Sequence, residues 1–539
     1  MKQIKNIGLI IIGVFLISSC NKQIAEKQVD PNNPLSAPPR LILGTVLNDM
    51  AGTGTAGTLG GINSWSNVHD WNQYHCQNYN YYGNNIYSWS NGSFDPYLVL
   101  KNVVNMENEA AKIYPAVNPY KSVGRFIRSY YFYNLTSMFG DVPLDEALQG
   151  IANATPAYST QEKVFQYVLA ELDTANTELA SLIATNDVNN QLAAEQDLYY
   201  AGDLTKWQKL VNSFKLRVLI SLSNKASDAT LNVPAQFATI INNPSQYPIF
   251  ASQADDLQLD YNPGGTNTYT LYPFNPSNFG SVAGRYNMAY TYVNALTSIN
   301  DPRVFITCDP AWALVASDPN PAKFQYFVGA SSGLDLGTMY NNANASKYAL
   351  ISRYRYYSSF TGEPDVLAGY KEMCFNIAEG ISRGWASGSA ETWYKAGITA
   401  SMSFYGIDIT KSNFTAYFLA PGSSGLQVTA YPFSFNFASY YAQPAVQLSA
   451  TSATAVNQIV LQKYIAMFEN SGYEAYYNFR RTGVPAFESG SGVGNNGVIA
   501  KRWAYPVTEQ KQNATNYAAA ITAQQFSADD LNQTMWLLK

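Results

Sequence analysis

Between residues 65 and 89 the chain carries Trp65, Trp71, Tyr74, Tyr79, Tyr81, Tyr82 and Trp89, interleaved with Asn72, Asn78, Asn80 and Asn84. Flat aromatic faces pack against C–H surfaces, and carboxamides both donate to and accept from hydroxyls. The mixture therefore suits a neutral, hydroxyl-rich ligand such as a sugar. Trp65, Trp71, Asn72, Tyr81 and Tyr82 are the candidate contacts in this stretch. Tyr272 joins them from a second aromatic group, Tyr269, Tyr272, Phe274 and Tyr290. A third group, Arg353, Tyr354, Arg355, Tyr356 and Tyr357, reads either as a site for an acidic group or as a surface strand with snorkelling arginines. The competing reading of each ring is a local aromatic core that packs its loop down. Trp89 and Tyr97, which abut the first long helix, are assigned that structural role.

Hydrolytic chemistry asks for more. A glycosidase needs two positioned carboxyls, one of them held protonated. Asp70, Asp95, Glu363 and Asp365 are available, but no spacing pairs them. A serine hydrolase needs a general base, His69 and His75 are the only histidines, and no GxSxG turn stands near a usable pattern. No catalytic residue is assigned, and the chain is not expected to be an enzyme. Cys20, Cys76, Cys308 and Cys374 lie far apart with no CxxC pair, which fits neither a disulfide framework nor a zinc site. Cys308 and Cys374 read as buried thiols, with a bridge between two of Cys76, Cys308 and Cys374 left open. No metal site or cofactor is expected; calcium binding is left open, with nothing in the sequence to support it.

Charged residues make up only 13% of the chain against 47% hydrophobic, and the net charge is -5. That composition is globular rather than disordered and lacks the basic surface that nucleic-acid binding requires. Lys2 and Lys5 precede an uncharged apolar run over 7–17, which is too short to span a bilayer and has the length of a signal-peptide core. Leu16-Ile17-Ser18-Ser19-Cys20 follows and resembles a bacterial lipobox, in which the Cys20 thiol takes a diacylglyceryl group. Two or more acyl chains anchor firmly, at about 0.8 kcal/mol per buried CH₂. The expected organisation is a lipoprotein signal peptide over 1–19, a lipidated tether over 20–40 containing Pro31, Pro34, Pro38 and Pro39, and a single helical domain over 41–539.

Helical periodicity predicts what positions the aromatic loops. Helices are expected over 97–111 and 120–138, the second stopped by Gly140 and Pro143. Ser159-Thr160-Gln161-Glu162 reads as a capping box ahead of a face of Phe165, Val168, Leu169, Leu172 and Leu179. Asp203 is placed to cap a helix whose buried face is Trp207, Leu210, Val211, Phe214 and Val218. Further pairs fall at about 370–406 and 455–481. The expected fold is mainly α: four divergent tetratricopeptide-like helix pairs, at about 97–138, 161–224, 370–406 and 455–481, form a platform with long irregular loop insertions and a few short strands.

Several segments together resemble the SusD/RagB family, and its second SusD-like subgroup in particular. Met138-Phe139-Gly140-Asp141-Val142-Pro143-Leu144 is similar to the family's "fGDvPy" turn. Gly202-Asp203-Leu204-Thr205-Lys206-Trp207 with Asn212-Ser213-Phe214-Lys215-Leu216-Arg217 resembles "GD..kW.k.aNsLklR". Asp301-Pro302-Arg303 resembles a "DPR" turn. Ile377-Ala378-Glu379-Gly380 with Trp393 to Ile398 resembles a family helix pair. Asn478-Phe479-Arg480-Arg481-Thr482-Gly483-Val484-Pro485 is similar to "d.RRtg.P", and Arg502-Trp503-Ala504-Tyr505-Pro506 to "R..YP". The matches run in family order over nearly the whole mature chain. Arg480 and Arg481 are read as scaffold residues that meet carboxylates or helix C-terminal carbonyls. The resemblance implies a cell-surface lipoprotein of the outer membrane, facing the exterior. It also implies that the protein binds a glycan and passes it to a SusC-like TonB-dependent transporter, without catalysis. Two alternatives are an oligopeptide ligand on the same architecture and a glycan-binding lipoprotein that works without a transporter.

Overall fold

The computed structural model describes residues 36–51, 67–81, 83–262, 272, 274–277, 279, 283–420 and 425–539. The expected signal peptide, Cys20, most of the tether, Trp65, Tyr82 and Tyr269 lie outside these residues. Helix α1, Pro39–Met50, begins just inside the expected tether, and Pro at the first helical position has both the right φ and no N–H to leave unpaired. A short helix, α2 (Asn67–Trp71), precedes α3 (Pro96–Ala110) and α4 (Pro119–Phe139). The Asn118 side chain caps α4 by accepting from the Lys121 amide at 3.0 Å, and Gly140 ends the helix at φ 93°. Such a backbone angle is open to glycine at little cost.

The cap of α5 (Gln161–Thr185) falls one residue later than the expected capping box. Thr160, not Ser159, accepts from the backbone, at the Lys163 amide. Ser159 instead pairs with Val142 in a two-residue ladder and donates its hydroxyl to Asp145 at 3.0 Å. Asp203 caps α6 (Leu204–Ser221) as expected, accepting from Thr205 N at 2.9 Å and Lys206 N at 3.3 Å. The predicted faces are buried: Trp207, Leu210, Val211, Phe214 and Val218 are 0–1% exposed. Each such side chain contributes roughly 1.5–3 kcal/mol on leaving water. Helices α4, α5 and α6 pack in succession, and α3 covers α4.

Helices α7 (Leu336–Asn344) and α8 (Arg353–Tyr357) fall between the pairs expected at 161–224 and 370–406, where irregular insertions are expected. The arginine-tyrosine group is thus one turn of helix rather than a strand, because Ser352 caps it by accepting from the Arg355 amide at 3.3 Å. Helices α9 (Tyr370–Ser382) and α10 (Ala390–Phe404) pack together. Helix α11 (Ser452–Ala466) lies on both, and α12 (Glu474–Thr482) follows it and ends at left-handed Gly483. The fold is mainly α, with helix pairs where the periodicity predicts them.

Strands are short. β1 (His75–Gln77), β2 (Tyr286–Met288), β3 (Cys308–Asp309) and β4 (Leu350–Ile351) form one sheet in the order β1-β2-β4-β3, every neighbouring pair antiparallel. Cys76, Asn287, Leu350 and Asp309 stand in one row across it. β5 (Asn413–Leu419) and β6 (Val428–Ser434) pair as a separate hairpin. The three described cysteines, Cys76, Cys308 and Cys374, are buried and unbridged, and burial pushes each thiol up to about 12. Among the described residues no helix is long and apolar enough to cross a membrane.

Candidate ligand-binding site

The segment over 67–77 is held in place by bonds to distant elements. The Tyr74 hydroxyl donates to Tyr464 O at 2.8 Å, and the Tyr464 hydroxyl meets the carbonyls of Asn72 and Gln73 at 3.0 and 2.8 Å. Their rings stack with centroids 4.7 Å apart. This couples α2 and β1 to α11.

The arrangement decides the fate of the candidate contacts. Asn72 is fully buried, donates to Gly472 O at 2.8 Å and accepts from Tyr476 N at 3.0 Å, so no amide capacity faces a ligand on either side. Trp71 donates its indole N–H to Ile86 O at 3.0 Å and packs between Tyr473, stacked at 6.1 Å, and Trp89, edge-on at 5.0 Å. Tyr272 is buried against Tyr261 and Phe274. The expectation that Trp71, Asn72 and Tyr272 contact ligand is therefore corrected: all three are scaffold. Trp89 stacks on Trp503 at 3.6 Å in the structural role expected of it.

Tyr81 is different. It is 80% exposed, and with Tyr79 (42%) and Tyr340 (41%) it forms a ledge of near-parallel rings. Tyr79 stacks on Tyr340 with centroids 5.1 Å apart and on Tyr81 at 6.3 Å, both at 28°. The rings come from two elements. Tyr79 and Tyr81 sit on the turn that leaves β1. That turn is closed at its base by Asn85, which accepts from Gln77 N at 2.7 Å and donates to Gln77 O at 3.2 Å, in place of a strand partner. Asn78 ties the turn to β2, through Gly284 O at 2.9 Å. Tyr340 rides on α7, which Asp335 caps by accepting from Thr338 N at 2.9 Å, while the adjacent Met339 is buried beside Cys76 and Ala330. Asn80 and Asn84 on the same turn, and Asn341 and Asn344 on α7, are also exposed. Aromatic faces rimmed by carboxamides, on a turn braced at both ends, provide what hydroxyl-rich ligands need. Tyr79 belongs to the aromatic stretch but was not among the selected residues, and Tyr340 gave no local signal beyond its helix cap.

Beneath the ledge, His75 lies between two carboxylates: Nδ1 is 2.9 Å from Asp70 Oδ1 and Nε2 is 3.3 Å from Glu469 Oε1. Burial lowers its pKa, but Glu469 and Asp70 outweigh burial and push it up to about 10. His69, 3.4 Å from Glu469, is held well below its usual range by burial and by the His75 charge. All four side chains are closed to solvent. Of the other acids weighed for catalysis, Glu363 is bound by Arg355 at 2.6 Å, Asp365 is fully buried and Asp95 is exposed beside α3. No two of these carboxyls face a common open cleft. Among the described residues, no group of three or more His, Cys, Asp or Glu side chains is arranged to hold a metal ion.

Scaffold assignments hold for the paired arginines. Arg481 bonds Glu379, and Arg480 donates to Lys501 O and Ser137 O, each at 2.7 Å. No curated protein matches the sequence. Solved structures do match over nearly its full length. One SusD homolog from Bacteroides fragilis NCTC 9343 is 29% identical, with 94% of this chain and 100% of that chain covered and a TM-score of 0.74. A second from the same organism is 25% identical, covering 93% and 100%, with a TM-score of 0.76. A chitin-binding SusD homolog from Flavobacterium johnsoniae is 18% identical and shares the fold, covering 93% and 98% with a TM-score of 0.67. The family model for starch-binding proteins associating with the outer membrane matches residues 31–506. With that match and this architecture, the chain belongs to the second SusD-like family of nutrient-binding outer-membrane proteins.

Proposed function

We propose that the protein is a non-enzymatic, lipid-anchored receptor on the outer face of the outer membrane, which binds a glycan at the Tyr79–Tyr81–Tyr340 ledge and passes it to a SusC-like TonB-dependent transporter. The observation that carries the reading is the ledge itself: three exposed rings stacked at 28° through Tyr79, on two elements that also carry exposed carboxamides. An oligopeptide ligand would favour a deeper pocket with free backbone edges, and open rings favour sugar faces instead. The burial of Asp70 and Asp365 and the pairing of Glu363 with Arg355 leave no candidate carboxyl pair open to a glycosidic bond, which supports binding without hydrolysis. Family membership supports the transporter partnership and the location, and the lipobox supports anchoring through Cys20. No cofactor, calcium included, takes part in this reading.

Affinity electrophoresis through amylopectin or glycol chitin, followed by calorimetry with oligosaccharides and oligopeptides, tests the ligand class. Wild-type protein is expected to be retarded by polysaccharide. The triple variant Tyr79→Ala/Tyr81→Ala/Tyr340→Ala should lose roughly 2–3 kcal/mol, or about 30–150-fold in affinity, with its fold intact. Binding to peptides alone, or retardation that ignores the triple substitution, rules out the ledge reading. Release of reducing ends from the polysaccharide rules out the non-enzymatic one. For the anchor, labelled palmitate should enter the wild-type protein and not Cys20→Ala. Equal labelling of both, or of neither, contradicts lipidation at Cys20. Solubilised membranes should yield the protein together with a TonB-dependent barrel.

A further inference from the structure

A second exposed aromatic pair is formed by residues of α8 and β5. Tyr354 of α8 and Tyr417 of β5 are each 38% exposed, with ring centroids 4.6 Å apart at 32°. They wall a groove of about 340 Å³ whose rim includes Ser358, Thr415 and Gly406. Most other exposed apolar side chains are single, as on any protein surface. We propose that this groove is a second glycan subsite, which holds a further stretch of the same neutral polysaccharide chain that the ledge holds. The inference rests on the glycan reading of the ledge.

Three observations support it. The first is chemical: paired rings beside the exposed hydroxyls of Ser358 and Thr415 repeat the ledge's combination of flat apolar face and hydrogen-bonding rim.

The second is electrostatic. Arg355 lines the groove, but its guanidinium is bound by Glu363 at 2.6 and 2.8 Å, donates to Phe404 O at 3.3 Å and lies 4.8 Å from the centre of the Tyr405 ring. Arg353 is bound by Asp309 at 2.5 Å and donates to Leu419 O at 3.2 Å. Both cations are compensated within the fold, so the groove suits an uncharged ligand and not an acidic one.

The third is placement. β1 and β4 both pair antiparallel with β2, so they run parallel to each other and leave the sheet at the same end. Tyr79 follows Cys76 by three residues and Tyr354 follows Leu350 by four, and Cys76 and Leu350 face the same residue, Asn287. Two inter-strand spacings, about 10 Å, separate β1 from β4. A polysaccharide lying along this end of the sheet can reach both sites, whereas a short oligosaccharide fills one. Two linked contacts on one ligand raise its apparent affinity without any new contact at the first.

The experiment compares polymer with oligomer. Wild type, Tyr354→Ala/Tyr417→Ala, and Ser358→Trp (which fills the groove from its exposed rim and leaves both rings in place) are run in affinity gels of amylopectin and glycol chitin. Each is then titrated with malto- and chito-oligosaccharides too short to cover both sites. Both variants are expected to weaken polymer binding at least about tenfold and to leave oligosaccharide binding and circular dichroism unchanged. Undiminished polymer binding in both variants overturns the subsite while the ledge reading stands. Equal loss of polymer and oligosaccharide binding also overturns it, since that marks a disturbance of the ledge. Absence of any saccharide binding by the wild type removes the ledge reading, and this inference falls with it.

Discussion

Replacing Asp301 with alanine is expected to lower stability by roughly 3–5 kcal/mol, a large share of what a domain has to lose. The reason is Arg303, which has no exposed surface. Its Nε and Nη2 donate to Asp301 at 2.9 and 2.6 Å, Nη1 donates to Ser401 of α10 at 2.7 Å, and Nη2 reaches Gln462 of α11 at 2.7 Å. Asp301 also accepts from the Tyr440 hydroxyl at 2.6 Å, and that hydroxyl accepts from Gln462 at 2.9 Å. Burial opposes the Arg303 charge, and Asp301 more than restores it, leaving the guanidinium above its usual pKa. Without Asp301 a buried cation keeps only neutral partners. The ion pair itself is not the stabilising feature; the penalty comes from stranding one member of it. The double variant Asp301→Ala/Arg303→Met should therefore cost less than the sum of the singles. Urea midpoints of the three variants check this, and strict additivity would contradict it.

The turn around Asp301 shows how much of the molecule is legible from sequence. Helix faces such as that of α6 are local, repeating every three to four residues, and the structure places them as the periodicity predicts. The role of Asp301 is less local: the bonds it anchors run to Gln462, 159 positions beyond Arg303. The burial of Trp71 and Asn72 has the same distant origin. Trp71, Asn72 and Tyr81 share one aromatic, amide-rich stretch and differ only in what packs on them. Asn72 is buried and bonded to Gly472 and Tyr476, 400 and 404 positions away, and no pattern within the stretch reports that. Tyr340 is the converse. It sits between the expected helix pairs at 161–224 and 370–406, and its use depends on Tyr79, which lies some 260 positions earlier on the turn after β1.

The second large effect concerns His75. His75→Gln leaves Asp70 and Glu469 buried without the cation between them, again at a cost of roughly 3–5 kcal/mol near neutral pH. The histidine is faced by Asp70 and His69 from α2, by Glu469, and by the Tyr286 ring of β2 at 5.2 Å. Its pKa is raised from 6.5 to about 10 in the fold. A raised pKa means that the native state holds the proton more tightly than the unfolded chain. The stabilisation is thus whole below pH 6.5 and is lost as pH rises from there towards about 10. Within that window this one group contributes a downward slope of about 1.4 kcal/mol per pH unit. Urea melts at a series of pH values should show that slope in the wild type and its loss in His75→Gln. Parallel curves for the two proteins would mean that His75 is neutral in the fold.

The three described cysteines also govern how the protein can be labelled. Cys76, Cys308 and Cys374 are buried, unbridged and held protonated, with pKa values near 12. Maturation of this part of the chain therefore needs no oxidative pairing, and reducing agents have no crosslink here to open. In the folded state thiol-directed reagents find no thiolate among these residues. A cysteine placed on the surface, by Tyr81→Cys for example, offers the only reactive thiol among the described residues, an attachment point for a fluorophore or spin label beside the proposed site.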